Sequence, residues 1–299
     1  MTKIDLSIVI VSYNTKKITQ NCLESINRSL WGTKIRYEII SVDNNSHDGS
    51  KEMLLNYSLD KKNHTGYFQT RTNLGFGRGN NFGVKRATGK YILLLNSDTI
   101  ILNRSIEKLF NHYVENEKTI HFLGAKLLNK DLTPQPSACR FFTLPVIFAS
   151  LLLKGDYYGL TRFSPNEFKK VDWVSGACIL TKKSYYRRLG GFDKNIFMYM
   201  DEIDLLYRAH QLGYKTLLYP GAYFIHLGSG SSNGKTFPII QVFKGLKYFY
   251  KKHHPPLSCK ILTIMLKLKA LIGIILGKLF NNRYLIETYE KAYQVAQMD

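Results

Sequence analysis

Residues 6–12 read LSIVIVS, residues 37–42 read YEIISV, and residues 91–95 read YILLL. These runs are rich in aliphatic and β-branched residues, a composition typical of strands that are buried on both faces, as in parallel sheets. Segments between and after them show helical spacing, and further apolar runs follow. The expected helices are Asn14–Leu30, Ser50–Tyr57, Asn80–Ala87 and Asp201–Leu212, and the further strands are Gly66–Thr70, Val171–Thr181 and Thr216–Tyr223. This alternation predicts a doubly wound α/β fold with a mostly parallel sheet.

Small polar and acidic residues directly follow three of these strands. They are Ser12-Tyr13-Asn14, Asp43-Asn44-Asn45 and Asn96-Ser97-Asp98. In open α/β sheets, ligands bind outside the carboxyl ends of the strands. The sequence therefore predicts that three strand ends point polar groups into one crevice.

The composition is that of an ordinary globular protein. The chain has 299 residues, of which 44% are hydrophobic and 21% are charged, enough for one large domain or for one domain with an appendage. Four cysteines occur without a CxxC pair, which favours reduced thiols in a cytosolic protein over a disulfide framework or a zinc site. The N-terminal apolar run is short and lacks a cleavage site, so we do not expect a signal peptide.

The formal net charge of +20 favours partners such as nucleic acids, anionic membranes or anionic ligands. No zinc-finger spacing, RRM signature or helix-turn-helix pattern accompanies the charge, so we do not expect nucleic-acid binding. Late in the chain, Lys244, Lys247, Lys251 and Lys252 are interleaved with aromatic residues. This cluster favours an anionic lipid surface as the partner.

The last part of the chain differs in character from the rest. From about Phe237 it reads as a basic, aromatic helix, which Pro255-Pro256 separates from the long apolar segment Ile261–Phe280. The lysines inside this segment argue against a membrane span, so we favour an amphipathic helix that lies in the membrane interface. A helix packed into a bundle is the alternative.

The first two strand ends have the residue types that hold a nucleoside. The ring of Tyr13 can stack on a base, and the carboxylate of Asp43 can accept a hydrogen bond from a base N–H or from a ribose hydroxyl. Asn14 and Asp43 are also common turn and cap residues, so local capping is the alternative. We favour binding because both residues lie at adjacent strand ends.

Two further segments suit phosphate and metal. Asn73–Asn81 reads NLGFGRGNN, whose glycines let the backbone approach a diphosphate and whose Arg78 could bind a phosphate oxygen. The run does not match GxGxxG, and a flexible turn is the alternative. Asp98 stands where a carboxylate could bind Mg²⁺ or Mn²⁺ beside substrate phosphates, with an Asx-turn as the alternative.

The predicted helix begins at Asp201, in the segment YMDEIDL, which has three acidic residues in four positions. Asp201 or Glu202 could take a proton from an acceptor hydroxyl as general base, whereas capping of the helix N-terminus is the alternative. Asp204 and Arg208 have the spacing to pair on the helix surface. His226, at the start of the run HLGSGS, could be a further metal ligand or an ordinary polar residue.

In this order, the motifs resemble family 2 of the glycosyltransferases, the inverting GT-A type, and within it the rhamnosyltransferase-like branch. The resemblance extends from about Leu6 to Ser232 and is carried by SIVIVSYN, VDNNSHDGS, NLGFGRGNN, YILLLNSDT, WVSGACILTKKSYYRRLGGFD, FMYMDEIDLLYR and HLGSGS. It implies a GT-A-type sheet and transfer of a sugar, with rhamnose favoured, from a nucleotide-diphosphate sugar. The acceptor would be a hydroxyl of a glycan or lipid-linked oligosaccharide in cell-surface polysaccharide synthesis, at the cytoplasmic face of the plasma membrane.

The resemblance also implies roles for individual residues. The donor-binding residues would be Ser12, Tyr13, Asn14, Asp43, Asn44, Asn73, Gly77, Arg78, Asn80, Asn96 and Ser97, and the acceptor-side residues would be Trp173, Ser175 and Gly176. The D-x-D metal motif here keeps only its last acid, so Asp98 would bind Mg²⁺ or Mn²⁺, with His226 completing the site. The usual Glu-Asp pair is swapped, which makes Glu202 the first choice of base and leaves Asp201 as the alternative.

The resemblance divides the chain into a catalytic domain at 1–236 and a basic helical tail at 237–299. Within the catalytic domain, the donor half would span about 1–127 and the acceptor half about 128–236. In the acceptor half, Leu128–Asn166 contains Pro134, Pro136 and Pro145 and is expected to be an irregular loop.

Three rival functions remain. A UDP-hexose transferase of the same fold differs in the sugar, since thymine and uracil differ by one methyl group. A nucleotidyltransferase of related fold would carry a Gly-rich, Arg-bearing loop directly after the first strand, where this chain has Ser-Tyr-Asn. A nucleic-acid-binding protein would explain the charge but not the three polar strand ends.

Overall fold

The structure is a computed structural model that describes residues 4–228 and 236–298. The HLGSGS run from Ser229 onward therefore lies outside the described residues. The chain divides into two compact units. Unit one contains residues 4–140, 162–197 and 201–228, and unit two contains residues 141–161, 198–200 and 236–298.

The strands of the described residues all belong to unit one. In chain order they are β1 (Leu6–Ser12), β2 (Tyr37–Asp43), β3 (Thr65–Gln69), β4 (Tyr91–Asn96), β5 (Thr99–Ile101), β6 (Phe122–Leu128), β7 (Pro134–Gln135), β8 (Ala138–Cys139), β9 (Arg162–Phe163), β10 (Lys169–Val171), β11 (Trp173–Val174), β12 (Cys178–Lys182) and β13 (Thr216–His226). The main sheet has the order β10-β13-β6-β12-β4-β1-β2-β3, with β5 paired to β13 and β7 paired to β6. A small sheet has the order β11-β8-β9.

The helices of unit one flank the main sheet, and helices also make up most of unit two. They are α1 (Lys16–Leu30), α2 (Ser50–Leu59), α3 (Phe76–Val84), α4 (Ser105–Glu115), α5 (Leu144–Leu152), α6 (Lys183–Arg188), α7 (Asp201–Gln211), α8 (Thr236–His253), α9 (Pro256–Leu279) and α10 (Arg283–Gln297), with a short 3₁₀ turn at Lys61–Asn63.

The apolar run of β1 is continuous because helices cover both faces of its sheet. Ile8 and Ile10 are fully buried in a core cluster that also contains side chains of α1 and α4. Val9, which points to the opposite face, lies under α3, where a Cβ added to Gly83 would approach Val9 Cγ1 to 2.5 Å. Each such fully buried aliphatic side chain contributes about 1.5–3 kcal/mol to stability. The strand prediction from sequence is confirmed, since β1 pairs in parallel with both β2 and β4.

Two expectations for the middle of the chain are wrong. Leu128–Asn166 was expected to be an irregular loop, but it contains β7, β8, β9 and the apolar helix α5. Val171–Thr181 was expected to be one strand, but it is divided among β10, β11 and β12, which lie in two sheets. The turn at Gly176 and Ala177 separates β11 from β12 and lets the chain change sheet.

Unit two is built from α8, α9 and α10, with α5 packed on α9. One face of α9 is buried in this bundle through residues such as Leu262, Leu266 and Ala270. The opposite face stays apolar and exposed, with Ile264 65% exposed and Leu279 73% exposed. The bundle interpretation of this segment is therefore correct for one face of the helix. Within the described residues, no helix is both long and apolar enough to span a membrane.

Candidate active site

The registers of the parallel strands bring the three predicted polar strand ends to one edge of the main sheet. Ser12 lies opposite Asp43 on β2, and Val11 lies opposite Asn96 on β4. The loops that follow are also joined directly, because the Asn44 backbone N–H donates to the Ser12 carbonyl at 2.8 Å. The crevice predicted from sequence therefore begins at the carboxyl ends of β1, β2 and β4.

The two loops after β1 and β2 hold each other in place. The backbone N–H of Asn14 donates to Ser46 Oγ at 2.9 Å, and the N–H of His47 donates to Asn14 Oδ1 at 2.8 Å. Asn14 has a φ of 53°, a left-handed conformation that Asn tolerates better than most residues. The Asp43 carboxylate accepts from the Ser46 N–H at 3.2 Å and is fully buried. Asn14 and Asp43 therefore make the local capping contacts that were the alternative to ligand binding.

Ser12 and Tyr13 differ in what they offer to a ligand. The Ser12 hydroxyl is buried and lies 2.9 Å from the Thr19 hydroxyl and 3.2 Å from the Thr15 hydroxyl. Any contribution of Ser12 to a donor site would thus come from its backbone. The Tyr13 ring is only half-buried, so of these two residues it has the side chain better placed to meet a base.

Asn44 clamps the glycine-rich segment. Its Nδ2 donates to Asn73 Oδ1 at 2.9 Å and to the Gly75 carbonyl at 3.1 Å, and its Oδ1 accepts from the Leu74 N–H at 3.0 Å. The Asn44 amide is buried and committed to these contacts. In the candidate site, Asn44 therefore fixes the backbone of residues 73–75.

In the glycine-rich segment, Arg78 has N–H groups that could donate to a ligand. Its Nε donates to the Leu74 carbonyl at 2.8 Å, while its two terminal NH₂ groups have no partner within residues 4–228 and 236–298. The neighbouring Asn80 is buried and donates to the Phe76 carbonyl at 3.0 Å, within its own helix. Arg78 is therefore better suited than Asn80 to contact a phosphate.

The two acids that open α7 make different contacts. Asp201 is fully buried, and its Oδ1 accepts from the Gly77 N–H at 3.2 Å. Only a glycine fits at position 77, because an added Cβ would lie 2.5 Å from Asp201 Oδ1. Glu202 instead reaches the Gly176 N–H, 3.4 Å from its Oε1. Asp201 thus holds the donor loop, and Glu202 lies against the segment expected to border the acceptor.

Burial raises the pKa of Glu202 above its ordinary value, and the positive charge of Arg162 and the Gly176 N–H oppose this shift. A carboxylate with a raised pKa binds a proton more strongly than an exposed one. A raised pKa therefore suits Glu202, the first choice of base, to receive a proton.

Of the three residues expected on the acceptor side, Gly176 contacts Glu202, and Trp173 is enclosed. Trp173 is 2% exposed, and its indole N–H donates to the Arg140 carbonyl at 2.7 Å. The Arg162 guanidinium lies 5.4 Å from the centre of the Trp173 ring. Ser175 is half-buried and accepts from the Ala177 N–H at 3.3 Å. Trp173 therefore supports this segment from beneath and does not present its ring to solvent.

Asp98 and His226 form the candidate metal site. His226 is the last residue of β13 and pairs with Thr99 of β5, which brings its ring beside Asp98. The His226 Nε2 lies 3.3 Å from Asp98 Oδ1 and 3.2 Å from Asn96 Nδ2. Ser97 is half-buried and lies between Asn96 and Asp98 in the turn.

The chemistry of these groups fits a divalent cation. His226 Nδ1 lies 2.7 Å from Gln135 Oε1, an acceptor, so the ring proton belongs on Nδ1 and the lone pair of Nε2 faces Asp98. In the structure this lone pair accepts from Asn96 Nδ2 at 3.2 Å, and His226 Nε2 and the Asp98 carboxylate together could serve as two ligands of one cation. The described residues contain no group of three or more His, Cys, Asp or Glu side chains that could hold a metal. Such a two-ligand set suits Mg²⁺ or Mn²⁺ that takes its other ligands from substrate phosphates.

Sequence reasoning missed two residues of this site. Gln135 orients His226 by a hydrogen bond to each end of the residue, since Gln135 Nε2 also donates to the His226 carbonyl at 3.0 Å. Arg162 carries a positive charge that lowers the pKa of Glu202 and so opposes the effect of burial. Both residues lie in the segment that was interpreted as an irregular loop, and no local pattern marks either of them.

Asp204 and Arg208 were expected to pair on the helix surface, and this expectation is wrong about where the pair lies. The pair forms, with Arg208 Nε 2.8 Å from Asp204 Oδ2, but Asp204 is fully buried. Arg208 also donates to the Gly191 carbonyl at 2.8 Å. The pair is therefore an interior link between α7 and the loop after α6, not a surface contact.

The family description "Glycosyl transferase family 2" matches residues 7–189 of the chain. The low-salt glycan biosynthesis hexosyltransferase Agl10 of Haloferax volcanii is 26% identical over 216 residues, which cover 69% of this chain and 62% of that protein. The N-acetylglucosaminyl-diphospho-decaprenol L-rhamnosyltransferase of Mycobacterium tuberculosis is 38% identical over 69 residues, covering 23% of this chain and 22% of that protein. The chain thus covers less than two thirds of the length of these curated relatives.

A solved structure shows the same fold. The mannosyltransferase PcManGT from Pyrobaculum calidifontis, in complex with GDP-Man and Mn²⁺, matches with a TM-score of 0.62 at 13% identity. The match covers 99% of this chain and 87% of that one. The expected GT-A-type fold, with a mostly parallel sheet and helices at the C-terminus, is confirmed.

Proposed function

The chain belongs to glycosyl transferase family 2, and we propose that it is an inverting glycosyltransferase that uses a nucleotide-diphosphate sugar. The observation that carries this proposal is a continuous set of contacts at the carboxyl ends of β1, β2 and β4. Asn44 fixes the loop that precedes α3, Gly77 in the first turn of α3 donates to Asp201, and the next residue, Glu202, reaches Gly176. A phosphate-binding loop and a candidate base are thereby held at one sheet edge.

The donor would lie across the strand ends. Tyr13 would stack on the base, Asp43 would accept from the base or ribose, and Arg78 would pair with a phosphate oxygen. The Asp43 carboxylate keeps lone pairs beyond the Ser46 contact, since an ionised carboxylate can accept about four hydrogen bonds. Its capping contact therefore does not compete with this role.

Asp98 and His226 would hold a divalent cation, with Gln135 keeping the lone pair of His226 Nε2 directed at it. When bound, Mg²⁺ or Mn²⁺ supplies charge neutralisation to a departing nucleoside diphosphate. The structural relative PcManGT was solved with Mn²⁺ and a nucleotide sugar, which supports this assignment.

The reaction would be a single displacement. The acceptor hydroxyl oxygen forms a bond to the anomeric carbon while the bond from that carbon to the diphosphate oxygen breaks. Glu202 takes the hydroxyl proton, and the nucleoside diphosphate leaves with the electron pair of the broken bond. The raised pKa of Glu202 suits it to receive that proton. The configuration at the anomeric carbon is inverted.

We favour rhamnose as the sugar, because the chain resembles rhamnosyltransferases in its motifs and because one curated relative is named as an L-rhamnosyltransferase. A UDP-hexose donor is the second candidate, supported by the hexosyltransferase relative. A screen of purified protein with Mn²⁺, acceptor extract and a panel of nucleotide sugars tests both, with release of nucleoside diphosphate as the readout. Release from dTDP-rhamnose alone supports the first, release from a UDP-hexose alone supports the second, and no release from any donor contradicts the proposal.

The acceptor would be a glycan or a lipid-linked oligosaccharide at an anionic membrane surface. The relative that acts on a diphospho-decaprenol compound supports a lipid-linked acceptor. The exposed apolar face of α9, with Ile264, Leu271 and Ile275, supports peripheral docking. Flotation with acidic liposomes tests docking: binding should fall when Ile264, Leu271 and Ile275 are changed to Ser. Equal flotation of this variant and the parent protein would contradict it.

A further inference from the structure

Unit two contains a solvent-open cavity whose charged lining residues are all basic. The cavity has a volume of about 880 Å³ and lies among α8, α9 and the end of α10. This volume is within the roughly 300–1,000 Å³ that small-molecule sites occupy. Its basic lining residues are Lys244, Lys247, Lys251, Lys260 and Lys267. No acidic residue lines it within the part of the chain that the structure describes.

The lysines of the cavity divide into two kinds. Lys247 is committed to the protein, because its Nζ donates to the carbonyls of Ala296 and Val295 at 3.3 and 3.4 Å and so caps the last turn of α10. The other four have no hydrogen bond or ion pair to any residue that the structure describes. Four uncompensated ammonium groups around one cavity repel each other, and a multivalent anion would relieve that repulsion.

The wall of the cavity that α9 supplies is apolar and continues onto the surface. Leu262 and Ile264 line the cavity, and Ile264 is also 65% exposed. Leu268, Leu271 and Ile275 follow Ile264 at helical spacing and are 45%, 43% and 55% exposed. The cavity therefore opens onto a strip of apolar surface along one helix.

We propose that this cavity binds the phosphate or diphosphate group of an amphiphilic, lipid-borne ligand, with its apolar chain along the exposed strip of α9. All the lining residues of this cavity belong to unit two, whereas the residues of the candidate active site belong to unit one. This inference rests on the proposed function, because it assigns a binding site to the lipid-linked acceptor. Its test measures binding and not sugar transfer, so that either proposal can fail while the other stands.

Titration calorimetry with three probes tests the proposal on the full chain. The probes are farnesyl diphosphate below its aggregation concentration, inorganic pyrophosphate, which has the head group alone, and farnesol, which has the chain alone. EDTA is present, so that a divalent cation does not draw the diphosphate to the candidate active site. We expect farnesyl diphosphate to bind at least tenfold more tightly than either fragment.

Variants then locate the binding. In Lys244→Ala/Lys251→Ala/Lys260→Ala, affinity for farnesyl diphosphate should fall by at least tenfold, and by about a hundredfold if each lysine contributes about fivefold. The matched control Lys252→Ala/Lys278→Ala/Lys291→Ala removes the same charge from exposed lysines of unit two outside the cavity, and it should stay within threefold of the parent. Replacing the three cavity lysines by Arg should restore binding, which excludes misfolding as the cause of the loss.

Three outcomes would overturn the proposal. The first is the absence of farnesyl diphosphate binding, and the second is an equal loss in the cavity variant and the control variant. The third is equal affinity for pyrophosphate and farnesyl diphosphate, which would make the ligand a free phosphate compound and not a lipid.

Discussion

Replacing Glu202 by Gln would separate the acid–base role of this residue from its structural role. Gln keeps the length of the side chain and an oxygen that can accept from the Gly176 N–H, now 3.4 Å from Glu202 Oε1. It cannot take a proton at neutral pH. Loss of a positioned general base lowers kcat by about 10²–10⁴-fold, or roughly 3–5 kcal/mol of transition-state stabilisation. We expect a loss of that size with little change in donor binding.

The same substitution should leave the fold as stable as before, or more stable. The pKa of Glu202 is raised in the folded protein by burial, so the folded state holds the proton more tightly than the unfolded state. The stability from this group is complete below the unfolded pKa and is lost as pH rises through the folded pKa. Above the folded pKa, the Glu202→Gln variant should therefore unfold at an equal or higher temperature, and its advantage should shrink as the pH falls.

The assay combines initial rates of nucleoside diphosphate release, with acceptor and saturating donor, and thermal unfolding across the same pH range. Glu167→Gln is the matched control, because Glu167 is exposed and lies in the same unit. The acidic limb of the rate profile of the parent protein should lie above the pH at which an exposed Glu titrates. Near-normal turnover in Glu202→Gln would refute the reasoning and move the base to Asp201 or out of this motif.

Three further substitutions test other parts of the structure. Asp98→Ala should abolish transfer and weaken Mn²⁺ binding, measured by electron paramagnetic resonance, while unfolding stays within about 2 °C of the parent; full activity would contradict the metal assignment. Gly77→Ala forces a Cβ to within 2.5 Å of Asp201 Oδ1 and should cost about 1–3 kcal/mol, seen as a fall in Tm of about 2–4 °C per kcal/mol; an unchanged Tm would show that the loop can move aside. Arg208→Met leaves the fully buried carboxylate of Asp204 without its cation and should cost about 3–5 kcal/mol by denaturant unfolding, whereas a cost below about 1 kcal/mol is expected only of an exposed pair.

The sheet could be predicted from the sequence because its strands are marked by local composition. The observed β1 has the predicted bounds, and β2 and β4 each extend one residue beyond theirs. Helices cover both faces of these strands, so most of the side chains in them are apolar. The polar residues that follow the strands were equally visible. Their meeting at one edge follows from parallel pairing, which the pattern of buried strands predicts.

The separate roles of individual residues within the site could not be predicted from local composition. Asp201 and Glu202 are adjacent in sequence, and only tertiary contacts to Gly77 and Gly176 show that one holds the donor loop and the other borders the acceptor segment. Gln135 lies more than 90 residues from His226 in a region of weak pattern. Helical spacing also placed Asp204 correctly opposite Arg208, but spacing carries no information about burial.

The central claim is that a nucleotide sugar and a divalent cation bind together at the carboxyl ends of β1, β2 and β4. Crystals grown with Mn²⁺ and thymidine diphosphate test it by anomalous diffraction near the manganese edge. The predicted result is one strong manganese peak between the Asp98 carboxylate and His226 Nε2, with the thymine ring against Tyr13 and within hydrogen-bond reach of Asp43. A manganese peak at any other group of residues, or a nucleotide bound away from these strand ends, would contradict the claim.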